Sequence, residues 1–263
     1  MKRLSVCVLA VFVLTGSVLA YDNSPSNIII FPECTWALAT GGGTWVSQLQ
    51  VTCLTDSNTV VAYFYYGGGS YRGPISLTVP AFTYGSVRYG NILSTLQSLD
   101  SGFTYYGRAG TLQLQTQDAS HKIQAAVRTM NGNYSKTFQG LTWTASNWAT
   151  TSQYMMIQNL DSNATYRTSV GFLCGSSSLT VTFAIIDANN SFAGTAWSRT
   201  FVPNEFVSFN PFAQAGVPYP TYSYSNCWLY IQPSSGGGYL YCYGASANNT
   251  TNDPAALVAV QFQ

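Results

Sequence analysis

The chain contains a single histidine, His121, so any chemistry that needs an imidazole would have to use it. It lies in the segment Asp118-Ala-Ser-His-Lys122, which holds the three residue types of a serine-hydrolase triad. Triads are assembled from distant segments, because residues two or three apart in one turn cannot align as a proton relay. The sequence therefore predicts that His121 is a solvated residue of a hairpin.

Acidic side chains are scattered singly along the chain. Glu33 and Asp56 could meet in space as the two carboxyl groups of a glycosidase, but nothing in their spacing indicates it. No cluster of His, Cys or acidic residues has the spacing of a metal site. The glycine-rich stretches precede strands and not helices, unlike phosphate-binding loops. We therefore expect a protein that is not an enzyme and has no cofactor.

The cysteines suggest hairpin disulfides. Two pairs are each symmetric about a glycine-rich turn: Cys34 with Cys53, and Cys227 with Cys242. Residues placed in this way face each other across a hairpin, at a separation that a disulfide spans. Cys174 is then left alone. The alternative is a sheet-to-sheet bridge from Cys174 to Cys242, as in immunoglobulin domains.

The predicted hairpin between Cys227 and Cys242 would carry a row of aromatic residues, which we call the aromatic ladder. If Cys227 faces Cys242, the residues of opposite parity share the other face of the hairpin, and most of them are aromatic. The ladder comprises Tyr222, Tyr224, Trp228, Tyr230, Tyr239, Tyr241 and Tyr243. Such a row is amphipathic and loses little entropy on contact, so it suits a subunit contact or stacking on sugar rings. The alternative is cross-strand pairing that only stabilises the sheet.

Sequons occur at Asn133, Asn163, Asn189, Asn248 and Asn249. They would carry N-glycans in a host that glycosylates secreted chains. In a chain this rich in Asn, Ser and Thr, such short motifs also arise by chance.

The first 20 residues have the pattern of a secretory signal peptide. Met1-Lys-Arg is a short basic segment, Leu4–Leu14 is apolar but too short to span a bilayer, and Val18-Leu-Ala20 resembles a cleavage site. We expect a mature chain that begins at Tyr21 and is secreted, either extracellular or at the cell surface. No other long apolar run follows, so we expect no insertion into a membrane.

The chain has almost no net charge. It has 10 basic residues, two of them in the predicted signal peptide, against 9 acidic ones. The absence of a basic stripe argues against nucleic acid and against anionic membranes as partners. Low charge also weakens the repulsion that keeps like molecules apart, so we expect self-association.

Nearly every segment alternates with the period of a β-strand. In Leu112–Gln117, for example, one face is Leu, Leu and Thr, and the other is glutamine. Asn91–Leu99 is the one candidate for a short helix. Short alternating runs separated by turns indicate antiparallel sandwiches or barrels, so we predict an all-β fold.

The chain also repeats itself. Trp45–Cys53 matches Tyr166–Cys174, and each is followed by a polar turn and a β-branched run. A repeat of roughly 120 residues has the length of a whole domain. We predict a signal peptide over residues 1–20, then two tandem antiparallel β-sandwich domains over 21–144 and 145–263.

Four segments of the second half carry a family resemblance: Tyr166–Phe172, Val181–Asp187, Pro203–Phe206 leading to Asn210–Phe212, and the closing stretch Tyr243–Pro254. They resemble the tandem immunoglobulin-like sandwich domains of bacterial secreted and surface proteins. The first half shows the resemblance more loosely, through Trp45–Cys53 and Arg128–Gly140. These motifs are structural, so the resemblance implies an immunoglobulin-like fold and no particular activity.

The mature chain would open with an apolar strand. It comprises Asn27, Ile28, Ile29, Ile30 and Phe31. A strand that is apolar on both faces is typically buried on both faces. The default prediction is therefore that this segment is the first strand of its own sandwich. It could equally complete the sheet of a neighbouring copy, and head-to-tail donation of this kind gives a filament.

Taken together, these features predict a secreted structural or adhesive protein that forms a head-to-tail homopolymer by strand donation. The alternative is a carbohydrate-binding module that binds glycans through the aromatic ladder.

Overall fold

The computed structural model describes residues 24–39, 42–54, 58–81 and 86–262. The predicted signal peptide lies outside these residues. Within them, no helix is both long enough and apolar enough to cross a membrane.

Strands dominate both halves of the chain. The first half contains β1 (Ile28–Leu38), β2 (Thr44–Cys53), β3 (Asn58–Gly67), β4 (Ser70–Val79), β5 (Val87–Tyr89), α1 (Ile92–Leu99), β6 (Arg108–Thr116), β7 (Ile123–Asn131), β8 (Tyr134–Gln139) and β9 (Leu141–Thr142). The second half contains β10 (Tyr154–Ser162), β11 (Tyr166–Cys174), β12 (Leu179–Ile186), β13 (Trp197–Phe201), β14 (Phe206–Phe209), α2 (Pro211–Gln214), β15 (Tyr224–Gly236), β16 (Leu240–Asn248) and β17 (Pro254–Phe262). The predicted all-β class is confirmed, and so is the short helix that was expected over Asn91–Leu99.

The strands pair in two separate sets, each antiparallel throughout. The first set has the order β4-β3-β6-β1-β2-β7-β8, with β5 added to β2 and β9 added to β1. The second has the order β13-β12-β15-β10-β17-β16-β11-β14. We call these sets the first β unit (β1–β9) and the second β unit (β10–β17). The domain boundaries stay a prediction.

The two β units share one connectivity. The row β4-β3-β6-β1 corresponds to β13-β12-β15-β10, and the row β8-β7-β2-β5 corresponds to β17-β16-β11-β14. The helices occupy equivalent places, and each begins after an asparagine, Asn91 or Asn210, whose side chain accepts hydrogen bonds from the first turn. The repeat seen in the sequence is therefore also present in the strand order.

The two rows of each unit are joined by its last strands; in the first unit, β8 pairs with β7 and, one residue further on, β9 pairs with β1. In the first unit, β1 and β2 pair at their adjoining ends, from Trp36 with Val46 to Leu38 with Thr44. In the second unit, β17 pairs with β16 through its first half and with β10 through its second half. The last strand of the chain thus belongs to both rows.

This strand order differs from that of immunoglobulin domains. In those domains the first strand lies beside the second, in a sheet with the fifth and fourth. Here the first strand of each unit pairs most extensively with the sixth, β1 with β6 and β10 with β15, although β1 also pairs with β2 over its last three residues. The relation to bacterial immunoglobulin-like domains stays a prediction.

Each unit has its own hydrophobic core, built from alternate positions of its strands. In β6, Leu112 and Leu114 are fully buried, and in β7 Ile123 and Val127 are. A third buried group, which we call the inter-unit cluster, draws on both units. Its members are Ile30, Phe138, Leu141, Trp148, Leu173, Phe206, Tyr241 and Tyr243. The two units therefore bury aromatic and aliphatic surface against each other.

The N-terminal apolar strand lies inside its own chain. Within β1, Ile28–Phe31 pairs with β6, and Ile29 and Ile30 also pair with β9. Ile29, Ile30 and Phe31 are at most 1% exposed. The default expectation for this segment, the first strand of its own sandwich, is what the structure shows.

The cysteine pairs expected across hairpins are not in facing positions. β1 and β2 pair only from Trp36 with Val46 to Leu38 with Thr44, while Cys34 is the cross-strand partner of Gly110 on β6 and Cys53 that of Ile123 on β7. Cys227 pairs with Leu160 on β10, and Cys242 pairs with Phe172 on β11. Both hairpin arguments are wrong, because β1 and β2 pair only next to their turn, and β15 and β16 do not pair with each other.

The alternative bridge from Cys174 to Cys242 is not a sheet-to-sheet bridge either. Their strands, β11 and β16, are neighbours in one row, and Cys174 is the partner of Leu240. The Cys174 thiol donates to the Ser177 carbonyl oxygen at 3.2 Å. Burial raises the pKa of the Cys174 thiol to about 11, with a smaller contribution from Glu205.

Candidate functional site: an outer aromatic face

The aromatic ladder expected on one hairpin is split between two places. β15 and β16 are not neighbours, because the chain between them crosses from one row of the second unit to the other. The core face was predicted correctly, since Leu229, Ile231 and Leu240 are fully buried. The expectation that Trp228 faces Tyr241 is wrong.

The β16 end of the ladder packs between the two units. Tyr241 is 1% exposed and Tyr243 3% exposed. A Cβ atom on Gly171 would meet the Tyr243 ring at 2.1 Å, and one on Gly175 would meet the Tyr239 ring at 2.3 Å. Gly171 lies within β11 and Gly175 directly follows it. Because neither has a side chain, both tyrosine rings can lie flat on the backbone. These tyrosines stabilise the contact between the units and are not a free surface.

The β15 end of the ladder does lie on an outer surface, together with residues from two neighbouring strands. The Tyr154 ring lies 5.4 Å from the Tyr230 ring and is stacked 5.4 Å from the Phe262 ring. Met156 is the cross-strand partner of both Tyr230 and Val260. We call this group the outer aromatic face; it comprises Tyr154, Met156, Trp228, Tyr230, Val260 and Phe262, all half-buried.

The remaining ladder residues lie apart from this face. Tyr224 stacks on Phe212, with ring centroids 5.8 Å apart, beside the core of the second unit. Tyr222 is exposed and precedes β15.

Uncharged hydroxyl and amide groups border the outer aromatic face. Thr182 is the cross-strand partner of both Gln232 and Ser198, and Thr180 is the partner of Thr200. The hydroxyls of Thr180 and Thr200 are 2.9 Å apart, and those of Thr182 and Ser198 are 3.1 Å apart. None of these bordering residues is charged. Burial, followed by the proximity of Tyr154, raises the pKa of Tyr230, so its phenol is neutral at physiological pH.

Only part of this face could be found from the sequence. Trp228 and Tyr230 were identified by their parity with the buried residues of β15. Tyr154, Met156 and Phe262 were missed, although their alternation with buried Met155, Ile157 and Gln261 was a usable signal. Recognising them as one surface requires the order β15-β10-β17, which sequence spacing does not contain.

A second feature is a cleft of about 330 Å³ where the units meet. Lys136 Nζ lies 2.7 Å from the Glu33 carboxylate, and both side chains are largely buried. The Tyr243 phenol is hydrogen-bonded to the same carboxylate. Burial, then the negative charge of Glu33, raises the pKa of Tyr243 well above its usual 10.0.

The segment around His121 does not form a catalytic triad. The Ser120 hydroxyl donates to Asp118 Oδ1 at 2.7 Å, so it is directed toward the carboxylate and not toward the imidazole. His121 Nε2 lies 4.0 Å from Asp118 Oδ2 in the same turn. Across the described part of the chain, no group of three or more His, Cys, Asp or Glu side chains could hold a metal ion.

The asparagines of the sequons differ in exposure and in the hydrogen bonds that their side-chain amides make. Asn163 Nδ2 donates to Ser225 Oγ at 2.8 Å, and Asn249 Nδ2 donates to the Asn163 carbonyl oxygen at 2.9 Å. A glycan on either nitrogen would displace these contacts. Asn133 and Asn189 are exposed, and Asn248 uses its oxygen to accept from two backbone amides of the following turn. The folded chain therefore presents Asn133 and Asn189 most openly.

Comparisons with known proteins identify no family. No protein-family model and no curated protein matches the chain. Among solved structures it is similar to that of infectious bursal disease virus Gx strain, at 10% identity and a TM-score of 0.21, over 94% of this chain and 75% of that one. The VP2 subviral particle of the same virus also gives 10% identity and a TM-score of 0.21, over 94% of this chain and 74% of that one. Similarity at this level carries no argument about fold or function.

Proposed function

We propose that this chain is a secreted, non-enzymatic structural or adhesive protein whose copies associate through the outer aromatic face. The observation that carries the proposal is the composition of that face: six half-buried apolar side chains, four of them aromatic, bordered by uncharged polar groups.

Half-exposed aromatic surface is what a protein contact buries most effectively. The centres of protein interfaces are enriched in Tyr, Trp, Phe and Met and depleted of charge. The outer aromatic face has both properties. The near balance of 10 basic and 9 acidic residues in the chain means that little long-range repulsion opposes the approach of a second copy.

Assembly by donation of the N-terminal strand remains part of the proposal, but it would require each copy to give up a strand from the interior of its own sheet. β1 lies between β6 and β2, so donation would exchange an interior strand between copies and not an edge strand. Contact through the outer aromatic face needs no such exchange, because the face is already on the surface.

The experiment compares the mass of the mature protein in solution with that of a face variant, Trp228→Gln with Tyr230→Gln. We expect the wild type to form dimers or larger species in sedimentation velocity at high concentration, and the variant to stay monomeric. The matched control, Tyr166→Gln with Tyr219→Gln, removes two exposed tyrosines that lie elsewhere and should associate like the wild type. A wild type that stays monomeric, or a face variant that assembles unchanged, would refute the proposal.

The second candidate is a carbohydrate-binding module that uses the same face. The hydroxyls of Thr180, Thr182, Ser198 and Thr200 border the aromatic rings, and sugar-binding surfaces combine such groups with stacking rings. Binding of a neutral oligosaccharide by the monomeric protein, lost in the Trp228→Gln and Tyr230→Gln variant, would favour this function over self-association.

A further inference from the structure

A second aromatic surface lies at one end of the first β unit, where three segments meet. Trp36, near the end of β1, is the cross-strand partner of Arg108 at the start of β6. The Trp36 ring lies 5.2 Å from the Tyr106 ring, edge to face. Tyr66, at the end of β3, lies 4.6 Å from Phe103. We call this group the Arg108 platform.

The guanidinium of Arg108 is held in place by rings. Its Cζ atom lies 5.2 Å from the ring centroid of Tyr66 and 5.2 Å from that of Phe103. Tyr66, Phe103 and Trp36 in turn pack against the core of the first unit. The Nε–H of Arg108 donates to the Thr104 carbonyl oxygen at 3.5 Å. Stacking of this kind fixes an arginine while leaving its terminal N–H groups available, so less entropy is lost when it binds an anion.

Arg108 also has no acidic partner within the described ranges. No carboxylate lies within 4.0 Å of it there, and it is exposed. The nearby carboxylate of Asp100 is already occupied: Arg72 donates to both of its oxygens at 2.8 Å, and the Tyr105 hydroxyl is 3.2 Å away. The hydrogen bond from Arg72, the largest effect, lowers the pKa of Asp100. The platform therefore presents an uncompensated positive charge.

The surroundings of that charge are apolar and open. Tyr106 is 44% exposed, and Leu38, two residues beyond Trp36, is 71% exposed. A Cβ atom on Gly107 would meet nothing within 4 Å, so a ligand can approach between Tyr106 and Arg108.

We propose that the Arg108 platform binds the carboxylated sugar units of an acidic polysaccharide, that is, hexuronates. A guanidinium matches a carboxylate with two parallel hydrogen bonds. The aromatic rings beside it match the apolar C–H face of a pyranose ring. A hexuronate carries both groups on one ring. This site lies on the first unit and does not depend on the outer aromatic face of the second.

The test is isothermal titration calorimetry of the whole mature protein with oligogalacturonate and oligomannuronate, and with the methyl ester of the first as the uncharged probe. We expect at least one acid to bind and the ester to bind about tenfold more weakly, since a hydrogen bond to a charged group contributes roughly that much. Arg108→Gln and Tyr106→Ser should each reduce affinity for the acid about tenfold.

Arg88→Gln is the matched control, because Arg88 is also exposed but lies on β5, away from the rings. It should bind like the wild type. Amide shifts of Gly107 and Arg108 on titration would locate binding independently of any variant. The proposal is overturned if neither acid binds, if the ester binds equally, or if Arg88→Gln loses as much affinity as Arg108→Gln. Tighter binding of an acidic peptide than of both sugars would also overturn it.

Discussion

Glu33 and Lys136 belong to the first unit, but the second unit helps to remove them from water. Lys136 comes from β8 and Glu33 from β1, and their charged atoms are 2.7 Å apart. Tyr243 of β16 adds its phenol to the same carboxylate. A buried pair of this kind contributes little net stability, but the loss of one partner leaves the other charge uncompensated.

Lys136→Met should therefore destabilise the protein strongly although it keeps the aliphatic stem of the side chain. We expect a loss of about 3–5 kcal/mol in the free energy of unfolding, measured by urea denaturation. The double variant with Glu33→Gln should recover much of that loss, because no charge is then left buried.

Lys122→Met, at an exposed position, is the control and should change stability by less than about 0.5 kcal/mol. If the costs of Lys136→Met and Glu33→Gln simply add in the double variant, the two charges are not coupled and the interpretation of the pair is wrong.

At the scale of single elements, the alternation of residues predicted the strands well. It placed Leu112 and Leu114 on one face of a strand, the face that is buried, and made Asn91–Leu99 the candidate for a short helix. Both predictions depend only on local periods, of two and of 3.6 residues. That β15 and β16 do not pair with each other could not be predicted in the same way. A glycine-rich turn between two strands looks alike in sequence whether it closes a hairpin or crosses between sheets.

The position of β1 in the first β unit bears on whether it can be donated to a neighbouring copy. If this strand were donated to a neighbour, deletion of residues 21–31 should yield soluble monomers that cannot polymerise. In the structure this segment supplies Ile29, Ile30 and Phe31 to buried clusters and pairs with β6. We therefore expect the truncated protein to lose the cooperative unfolding of its first unit, followed by near-ultraviolet circular dichroism during thermal denaturation.

Val87→Ser serves as the comparison, since β5 is a three-residue strand added to the side of β2. It should retain a cooperative transition. A truncated protein that is monomeric, folded and unable to assemble would instead support strand donation.

At the scale of the whole molecule, the repeated connectivity places two similar units side by side with tyrosines between them. The pKa values of Tyr65, Tyr239 and Tyr243 are all raised, in each case mainly by burial. A raised pKa means that the docked units favour the neutral phenol. The resulting stabilisation is fully present below the unfolded value of about 10 and is lost as pH rises toward the folded values.

We therefore expect the contact between the units to weaken above pH of about 10, where a phenol released to water ionises. Tyr243→Phe removes one ionisable group and keeps the ring over Gly171, so its alkaline transition should move to higher pH. Tyr134→Phe, at an exposed tyrosine, should leave the transition where it is. Identical midpoints in the wild type and Tyr243→Phe, from near-ultraviolet circular dichroism, would contradict this account.

The junction between the units also contains two indoles that lie close enough to couple optically. Trp143 follows β9 and Trp148 precedes β10, and their rings lie 4.4 Å apart at 59°. Tyr239 meets both rings edge to face. Transition dipoles this close and this oblique couple, so the pair should produce a split circular dichroism band. The band should disappear when Tyr239 leaves both rings and the two indoles lose their fixed orientation. The protein therefore contains an intrinsic optical reporter of whether its two halves are docked.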